Sequence, residues 1–429
     1  MPTPLSTDEL RSSAQPCMKT PHSPDSQRAF LIVCIVVAIE RFSFHVLFAL
    51  YTLFLIAEHG HTEAQATWNF GLFLAVIFFT PFFGGAVADR VGRWPTIVLG
   101  AMLLAAGYLA LSLGLSVTGC LAVLAVGMGL FKGNLTALVG ALCSQSQRDA
   151  AYSRFYWAVN LGALPSGVVG GWLSGRFGFR AAFLLCSIGM AVVLPIGIAT
   201  RRLFHRSVAH EEIKHPASDS DRIVTILVLL PVAMLFFCAF YQSGSSLTLF
   251  AKNSTRPTLG GIPLTPPTYQ SVQAALVLGL TPILTRLFRC WPVSTPRKLL
   301  FGMALTVLSC IVMADASVVA SFGSGSGRVS PLWLLGSYFL ISIAELCVSP
   351  IGFSLVSKLA PPRWAGLLMG LWLAAVALGN LATGLLGVLW ERWSHAAFFS
   401  LLAGLSALAI PLLWLQQNRL ALVIGKEES

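Results

Sequence analysis

Long runs of apolar residues, separated by short polar segments, occupy most of the chain. Twelve such runs follow one another, at residues 29–56, 68–88, 96–114, 118–143, 153–173, 181–200, 223–251, 267–288, 298–319, 331–357, 364–389 and 396–415. An α-helix needs about 20 residues to cross the hydrocarbon core of a bilayer. The runs are continuous and do not alternate with polar residues, which excludes the strands of a membrane β-barrel. We therefore predict an all-α integral membrane protein with twelve transmembrane helices.

One polar segment is longer than the others and lies between the sixth and seventh runs. Residues 201–222 separate two sets of six runs, and such a charge-rich stretch is typical of a solvated linker. The spacing of His205, His210 and His215 places successive imidazoles on different helical faces, so we expect no metal site there. The predicted organisation is a cytoplasmic tail (1–28), a six-helix bundle (29–200), a cytoplasmic linker (201–222), a second six-helix bundle (223–415) and a second cytoplasmic tail (416–429).

The composition narrows the class of protein further. Hydrophobic residues make up 56% of the 429 residues and charged residues 10%, with a mean hydropathy of +0.77, against about 25% charged in soluble domains. These values exclude a soluble enzyme, a disordered protein and a secreted disulfide scaffold. No catalytic arrangement such as a P-loop or a Ser-His-Asp set lies outside the apolar runs. We predict no enzyme activity, cofactor or metal.

Lysine and arginine are distributed unevenly between the two sides of the predicted bundle. If the N-terminus is inside, the inner segments hold twenty and the outer loops six, and Arg41 and Lys132 complete the total of 28. This asymmetry predicts a multi-pass protein of the cell (inner or plasma) membrane with both termini in the cytoplasm. We therefore attribute the net charge of +11 to the excess of lysine and arginine in the cytoplasmic segments. The expected partner is the lipid bilayer, and no nucleic-acid partner is expected.

Four charged residues lie deep inside apolar runs: Glu40, Arg41, Lys132 and Glu345. A charge at this depth costs about 2.5–3.5 kcal/mol, so each one is a candidate functional residue. Glu40 and Arg41 are neighbours that point in different directions, and an alternative is that they only lock helices together. Because Glu345 stands alone in the second half, a cavity between the halves would be bipolar. Such a cavity suits a zwitterion, whose carboxylate would face Arg41 or Lys132 and whose ammonium would face Glu345.

The segment after the second run predicts a conformational latch. Gly84 and Gly85 permit close approach of helices, and Asp89 pairs with Arg90 or Arg93 at the cytoplasmic rim, where such contacts close a gate. The pattern resembles the loop signature of the major facilitator superfamily.

Several motifs resemble the proton-dependent oligopeptide transporter family of that superfamily. They are FYWAVNLG at 155–162, ELCVSPIGFS at 345–354, FKGN at 131–134, QSGSSLTLF at 242–250 and the stretch 370–380. The resemblance implies the major facilitator fold of two six-helix bundles and uptake of di- and tripeptides driven by protons. It also implies that Lys132 helps to hold the peptide carboxylate or takes part in proton coupling. By the same resemblance, Asn160 binds the peptide backbone, Glu345 binds the ammonium and Trp372 lines a side-chain pocket.

The first helix departs from the family pattern at the positions expected to couple protons. Val37 replaces an acid, Phe44 and His45 replace two tyrosines, and Phe48 replaces an arginine. His45 is a candidate to carry the proton that Val37 cannot, because histidine titrates near neutral pH; the alternative is a packing histidine. Elsewhere, Tyr241 replaces a glutamate.

Two further positions change polarity, since Gln273-Ala274 resembles an Asn-Pro and Phe78 replaces a tyrosine. The expected substrate-binding residues are Arg41, Lys132, Asn160, Gln273, Glu345 and Trp372; the expected proton-coupling residues are Glu40, His45 and Glu345; and the expected gating residues are Asp89, Arg90 and Arg93.

We therefore expect proton-coupled uptake of di- or tripeptides, or of peptide-like compounds, by alternating access. One alternative is an exporter or uniporter of an apolar or amphiphilic molecule, with altered or lost proton coupling, motivated by the aromatic replacements. A second alternative is a membrane sensor that does not transport.

Overall fold

The computed structural model describes residues 24–142, 148–206, 219–290, 293–322, 327–361 and 364–428. The helices of the N-terminal half are α1 (Pro24–His59), α2 (Glu63–Phe79), α3 (Pro81–Val91), α4 (Arg93–Ser112), α5 (Val117–Leu142), α6 (Arg148–Ala163), α7 (Ser166–Phe177), α8 (Phe179–Ala199) and α9 (Arg201–Arg206). The helices of the C-terminal half are α10 (Asp219–Phe240), α11 (Ser246–Asn253), α12 (Thr268–Cys290), α13 (Thr295–Phe322), α14 (Pro331–Leu359), α15 (Ala365–Gly387), α16 (His395–Ala407) and α17 (Ala409–Glu428). A two-stranded antiparallel hairpin joins β1 (Thr258–Leu259) to β2 (Ile262–Pro263).

Eleven helical segments of the described part of the chain are long and apolar enough to cross a membrane. The prediction of a polytopic helical membrane protein is confirmed. The fifth predicted span is different, because it is divided into α6 and α7 at Leu164–Pro165. Proline has no N–H for the helical hydrogen-bond ladder, and α6 and α7 are 16 and 12 residues long, each too short to cross alone.

The seventh span is also interrupted, at the centre of the C-terminal half. Helix α10 ends at Phe240, a 3₁₀ turn covers Tyr241–Gly244, and α11 follows. The turn leaves the carbonyl group of Ser243 free of the regular helix, and this carbonyl accepts hydrogen bonds from Gln270 (2.7 Å), Tyr338 (3.2 Å) and Thr248 (2.8 Å). Non-helical backbone at membrane depth is tolerated when other groups satisfy it in this way.

The two halves meet mainly where α2 packs on α15 and where α7 packs on α12. An added Cβ at Gly71 would lie 2.4 Å from the backbone nitrogen of Gly384, and one at Gly167 would lie 2.0 Å from the carbonyl oxygen of Pro267. Small residues therefore permit the closest inter-half contacts. These contacts lie towards the loops at 60–62, 254–267 and 388–394. We call this side the far half of the interface, and the side towards the first and last described residues the termini half.

Four predicted boundaries differ from the structure. Helix α1 begins at Pro24, inside the predicted tail 1–28. Within the predicted linker, 201–206 is helical, α10 already begins at Asp219, and 207–218, with His210 and His215, lies outside the described residues. Arg222, predicted to be solvated in the linker, is 1% exposed within α10. The predicted tail 416–429 continues α17 to Glu428, because Leu420 and Val423 keep an apolar face against the bundle, where both are buried.

Candidate functional site

Glu40 and Arg41, at the middle of α1, form a buried ion pair with each other. The guanidinium donates from Nε and from one terminal nitrogen to the two carboxylate oxygens. The alternative in which the two side chains point in different directions and lock other helices was wrong, because both are long enough to turn back towards one another. Arg41 also lies over the ring of Phe44, with Cζ 4.8 Å from its centroid, and contacts the sulfur of Met128 at 3.7 Å. The pair is enclosed mainly by apolar groups of its own half.

Lys132 of α5 lies on the face of an aromatic ring. Its Nζ is 3.7 Å from the centroid of Phe78, a cation–π arrangement. The side chain is half-buried, so the ammonium group retains open space on its other side. Because the charges of Arg41 and Glu40 both act on it, Lys132 and the pair on α1 belong to one electrostatic cluster.

Glu345 of α14 is the acid contributed by the C-terminal half. Its Oε1 accepts a hydrogen bond of 3.1 Å from the hydroxyl group of Tyr156 on α6, which is a contact between the halves. The Gln273 amide of α12 also lies against the carboxylate. The sequence analysis assigned no role to Tyr156, although it lies in the FYWAVNLG motif. The motif could have marked Tyr156 as a candidate, but it could not have identified Glu345 as its partner.

Asn160 and Trp372 are placed less favourably for contact with a substrate. Asn160 is 8% exposed, and its amide donates to the Tyr156 carbonyl of its own helix at 3.0 Å. Trp372 is 2% exposed and packs against Gly352, where an added Cβ would lie 2.2 Å from the indole, and against the ring of Phe353. In this conformation the indole is therefore packed in the protein core.

A chain of rings connects the two cationic residues of the N-terminal half. The Phe44 ring, which lies beneath Arg41, is 6.0 Å from Phe48, Phe48 is 6.0 Å from Tyr241, and Tyr241 is 5.5 Å from Phe78, which lies beneath Lys132. His45 is half-buried beside this chain, 5.9 Å from Phe48. The four aromatic replacements noted in the sequence therefore lie together, within the candidate site.

The predicted latch is not formed in this conformation. Asp89 and Arg90 are exposed, and among described residues no salt bridge joins Asp89 to Arg90 or Arg93. Adjacent charges at a solvated rim gain little from pairing. The expected close approach is found for Gly84, where an added Cβ would lie 2.1 Å from the carbonyl oxygen of Gly129, but not for Gly85, which has nothing within 4 Å.

The far half of the interface is held by polar contacts that the sequence did not indicate. The Glu63 carboxylate accepts from Asn253 Nδ2 at 2.7 Å and from Trp390 Nε1 at 2.8 Å. The backbone N–H of Ala64 donates to Glu391 at 2.9 Å. Deeper, the hydroxyl group of Thr52 donates to the carbonyl of Gly244 at 2.8 Å. The only signal in the sequence was an acid at the start of α2, where acids are common because they stabilise helix N-termini.

The comparisons with known proteins agree with this architecture. The sequence matches the Major Facilitator Superfamily over residues 33–382. The chain belongs to the Major Facilitator Superfamily. The dipeptide and tripeptide permease A of Edwardsiella piscicida is 28% identical, and the alignment covers 83% of this chain and 85% of that protein. The protein of the same name from Escherichia coli (strain K12) is 26% identical, with 83% of each chain covered.

Solved structures show the same fold. A crystal structure of the peptide transporter POT in complex with sulfate aligns with a TM-score of 0.83 at 22% identity, covering 98% of this chain and 99% of that one. A POT family transporter in complex with a thioalcohol-conjugated peptide aligns with a TM-score of 0.83 at 22% identity, covering 92% and 96%. The major facilitator fold and the resemblance to the proton-dependent oligopeptide transporters are confirmed. The chain is a multi-pass membrane transporter and not an enzyme.

Proposed function

We propose that this transporter takes up di- and tripeptides, or peptide-like compounds, together with protons by alternating access. The observation that carries the proposal is the bipolar arrangement at mid-membrane. Lys132 and Arg41 come from the N-terminal half, and Glu345, held by Tyr156, comes from the C-terminal half. A small peptide is a zwitterion whose two charged ends match these poles. The names of the curated relatives point to the same substrate class.

In this proposal each charged residue has a distinct role. Lys132 and Arg41 bind the peptide carboxylate, and Glu345 binds the ammonium group. Gln273 adds a polar contact beside Glu345. The Asn160 amide has to break its hydrogen bond to the Tyr156 carbonyl before it can contact the peptide backbone. Because Tyr156 bonds Glu345 across the interface, an ammonium group that displaces the tyrosine also breaks a contact between the halves, which couples binding to movement.

The proton needs an acid or base whose partner changes between conformations. Glu345 satisfies this requirement, since its hydrogen bond to Tyr156 crosses the interface. Glu40 is the second candidate, because a peptide carboxylate that pairs with Arg41 leaves Glu40 without its counter-ion. His45 is the third. Direct pairing of Glu40 with Arg41 means that one event, carboxylate binding, affects both residues.

The hydrogen bonds between the two halves are concentrated on one side of the interface. Between described residues, the hydrogen bonds that join the halves lie in the far half or at the centre, and none lies closer to the termini than Tyr156–Glu345. We propose that this is the form closed on the far side, with the site open towards the termini. With both termini in the cytoplasm of the cell or inner membrane, it is the inward-facing form.

The test is uptake of a labelled dipeptide into proteoliposomes that contain the purified protein. An imposed inward proton gradient should drive accumulation, and Glu345→Gln should lower it by at least about 30-fold, because a buried charge partner is lost. The matched control is Asp315→Asn, since Asp315 is an exposed acid on α13. Counterflow without gradient-driven accumulation would disprove proton coupling, and absence of both would disprove the peptide substrate.

A further inference from the structure

The two helices of the latch segment, residues 84–93, are joined by a single residue. Helix α3 ends at Val91, α4 begins at Arg93, and Gly92 lies between them. The φ angle of Gly92 is +96°, a backbone conformation that glycine adopts easily and other residues rarely do. Because the joint is so short, the position of Asp89 relative to Arg93 is fixed by the directions in which α3 and α4 run.

The α3 side of the latch segment is held against α5. The side-chain amide of Asn134, which is buried, donates to the carbonyl group of Gly84 at 3.0 Å. An added Cβ at Gly84 would lie 2.1 Å from the carbonyl oxygen of Gly129, so the backbones of α3 and α5 are in direct contact. These contacts fix the helix that carries Asp89 and Arg90.

The α4 side of the latch segment is held by Trp94. Trp94 follows Arg93 directly in the first turn of α4 and is buried. Its indole N–H donates to the carbonyl group of Gly197 at 2.9 Å. Gly197 belongs to the last turn of α8, where carbonyl groups have no partner within their own helix. Trp94 therefore caps the end of α8 and ties α4 to it beside the latch segment.

The same indole also holds the first helix of the predicted linker. Phe204 of α9 stacks on Trp94, with ring centroids 3.7 Å apart and an angle of 17° between the ring planes. Trp94 and Phe204 are 5% and 3% exposed, although Arg201 and Arg202 of the same short helix are exposed. Such a buried aromatic pair stabilises the docking of α9. We call Trp94, Gly197 and Phe204 the linker clamp.

The linker clamp lies entirely in the N-terminal half. Its residues come from α4, α8 and α9, so rocking of one half against the other does not have to break it. Among the described residues, no hydrogen bond or ring contact joins the clamp to the charged residues of the candidate site. The part of the transport machinery next to the clamp is the latch segment, one residue away at Arg93.

We propose that Trp94 is a positioning residue of the cytoplasmic latch. By holding the end of α8 and the first helix of the linker, it sets the direction of α4 so that Asp89 and Arg93 meet when the termini half closes. The inference rests on the proposed uptake by alternating access and deepens it, because it names the residue that orients the latch. The segment that connects the two halves is thereby anchored where the latch closes.

The test measures uptake of the labelled dipeptide, per amount of folded protein, in the wild-type and Asp89→Asn backgrounds. Trp94→Phe keeps a ring on Phe204 but loses the hydrogen bond to Gly197, and it should slow uptake about 3-fold, the size expected for one neutral hydrogen bond. In the Asp89→Asn background the same substitution should have no further effect, because the pair that Trp94 positions is already lost. Phe204→Leu keeps the hydrogen bond and loses the stack. It should behave in the same way, and it carries the test if Trp94→Phe does not fold.

The matched control is Ser187→Ala. The hydroxyl group of Ser187 donates to the carbonyl group of Ala105 at 2.8 Å, so this bond joins the same two helices, α8 and α4, away from the latch segment. Its loss should leave uptake per folded protein unchanged in both backgrounds.

A merely structural role of Trp94 would slow uptake by the same factor in both backgrounds, and that result would overturn the inference. Unchanged uptake in Trp94→Phe or in Asp89→Asn would also overturn it, as would an effect of Ser187→Ala as large as that of Trp94→Phe. Absence of uptake by the wild-type protein would instead overturn the proposed function.

Discussion

The far and termini halves of the interface differ in what joins them. In the far half, glycine-mediated backbone contacts and the bonds of Glu63, Glu391 and Thr52 hold the two halves together. In the termini half, the sequence contains a charged latch segment, but Asp89 and Arg90 are exposed and unpaired among described residues. We propose that the two sides close by different contacts: helix packing with the bonds of Glu63 and Glu391 on one, and charge pairing of the latch segment on the other.

The largest effect should come from preventing closure of the far half. In Gly71→Val the new side chain would overlap the backbone of Gly384, only 2.4 Å from the position of the Cβ, so the far side cannot close and uptake should fall more than about 100-fold. The matched control is Gly85→Val, because Gly85 has open space around it. A cysteine introduced at Thr67, which lies against Gly387, should react faster with a membrane-impermeant thiol reagent in Gly71→Val than in the Gly85→Val control. Wild-type uptake in Gly71→Val would contradict the packing role.

A smaller effect is expected from the polar part of the same closure. Glu63→Gln replaces a carboxylate that accepts two bonds with an amide that has one acceptor oxygen, and charge-assisted bonds contribute about 1.5–3 kcal/mol each. Uptake should fall about 10-fold, with the Thr67 cysteine becoming partly reactive. Glu58→Gln is the control, since Glu58 pairs only with Arg180 of its own half, at 3.6 Å. Equal effects of the two substitutions would show that Glu63 acts only as a surface charge.

The latch segment should affect movement without affecting the stability of this conformation. Asp89→Asn removes no contact made here, so the thermal midpoint of the purified protein should stay unchanged, whereas uptake should slow by about 5-fold, because the closed form of the termini half loses a charge pair. Lys358→Gln, at another exposed charge near the same side, is the control for a general change of charge. A lowered thermal midpoint in Asp89→Asn would contradict this prediction, because it would show that Asp89 stabilises the conformation described here.

The smallest effect should come from Trp372. Its indole N–H has no hydrogen-bond partner among the described residues and is enclosed, so Trp372→Phe removes an unsatisfied donor and keeps a ring against Gly352. Uptake of the labelled dipeptide should change less than about 2-fold. A larger change, confined to dipeptides with a bulky side chain, would support the side-chain pocket role implied by the family resemblance, which remains a prediction. Phe353→Leu serves as the control for a lost ring contact in the same cluster.

The pattern of apolar runs was sufficient to predict the helical membrane fold, because a bilayer leaves no other way to satisfy so many backbone groups. It was insufficient where a predicted run is divided between two helices: at Thr80 in the second run, at Leu164–Pro165 in the fifth, at Tyr241–Gly244 in the seventh and at Leu408 in the twelfth. Pro165 divides the fifth span, yet Pro195, Pro231, Pro282 and Pro350 lie inside continuous helices. Whether a proline interrupts a helix depends on which neighbouring groups satisfy the freed backbone, and those neighbours are distant in sequence.

The candidate site was likewise only partly predictable from the sequence. The depth of Glu40, Arg41, Lys132 and Glu345 follows from their positions in the runs, and their cost in lipid marks them as interior residues. The partners of these residues cannot be deduced from their positions in the runs. Arg41 pairs with its own neighbour, Lys132 lies on Phe78, and Glu345 is bonded by Tyr156, 189 positions away.

The sequence by itself determined the class of protein, the number of apolar runs and the depth of each charge, because these depend on local composition and on the constant thickness of a bilayer. Only the tertiary structure decided which side of the interface carries the polar contacts between the halves, that Trp372 is packed into the core and that Phe48, Phe78 and Tyr241 are neighbours. These properties depend on which faces of distant helices come into contact, and a substitution at any one residue changes the contacts available to all the others.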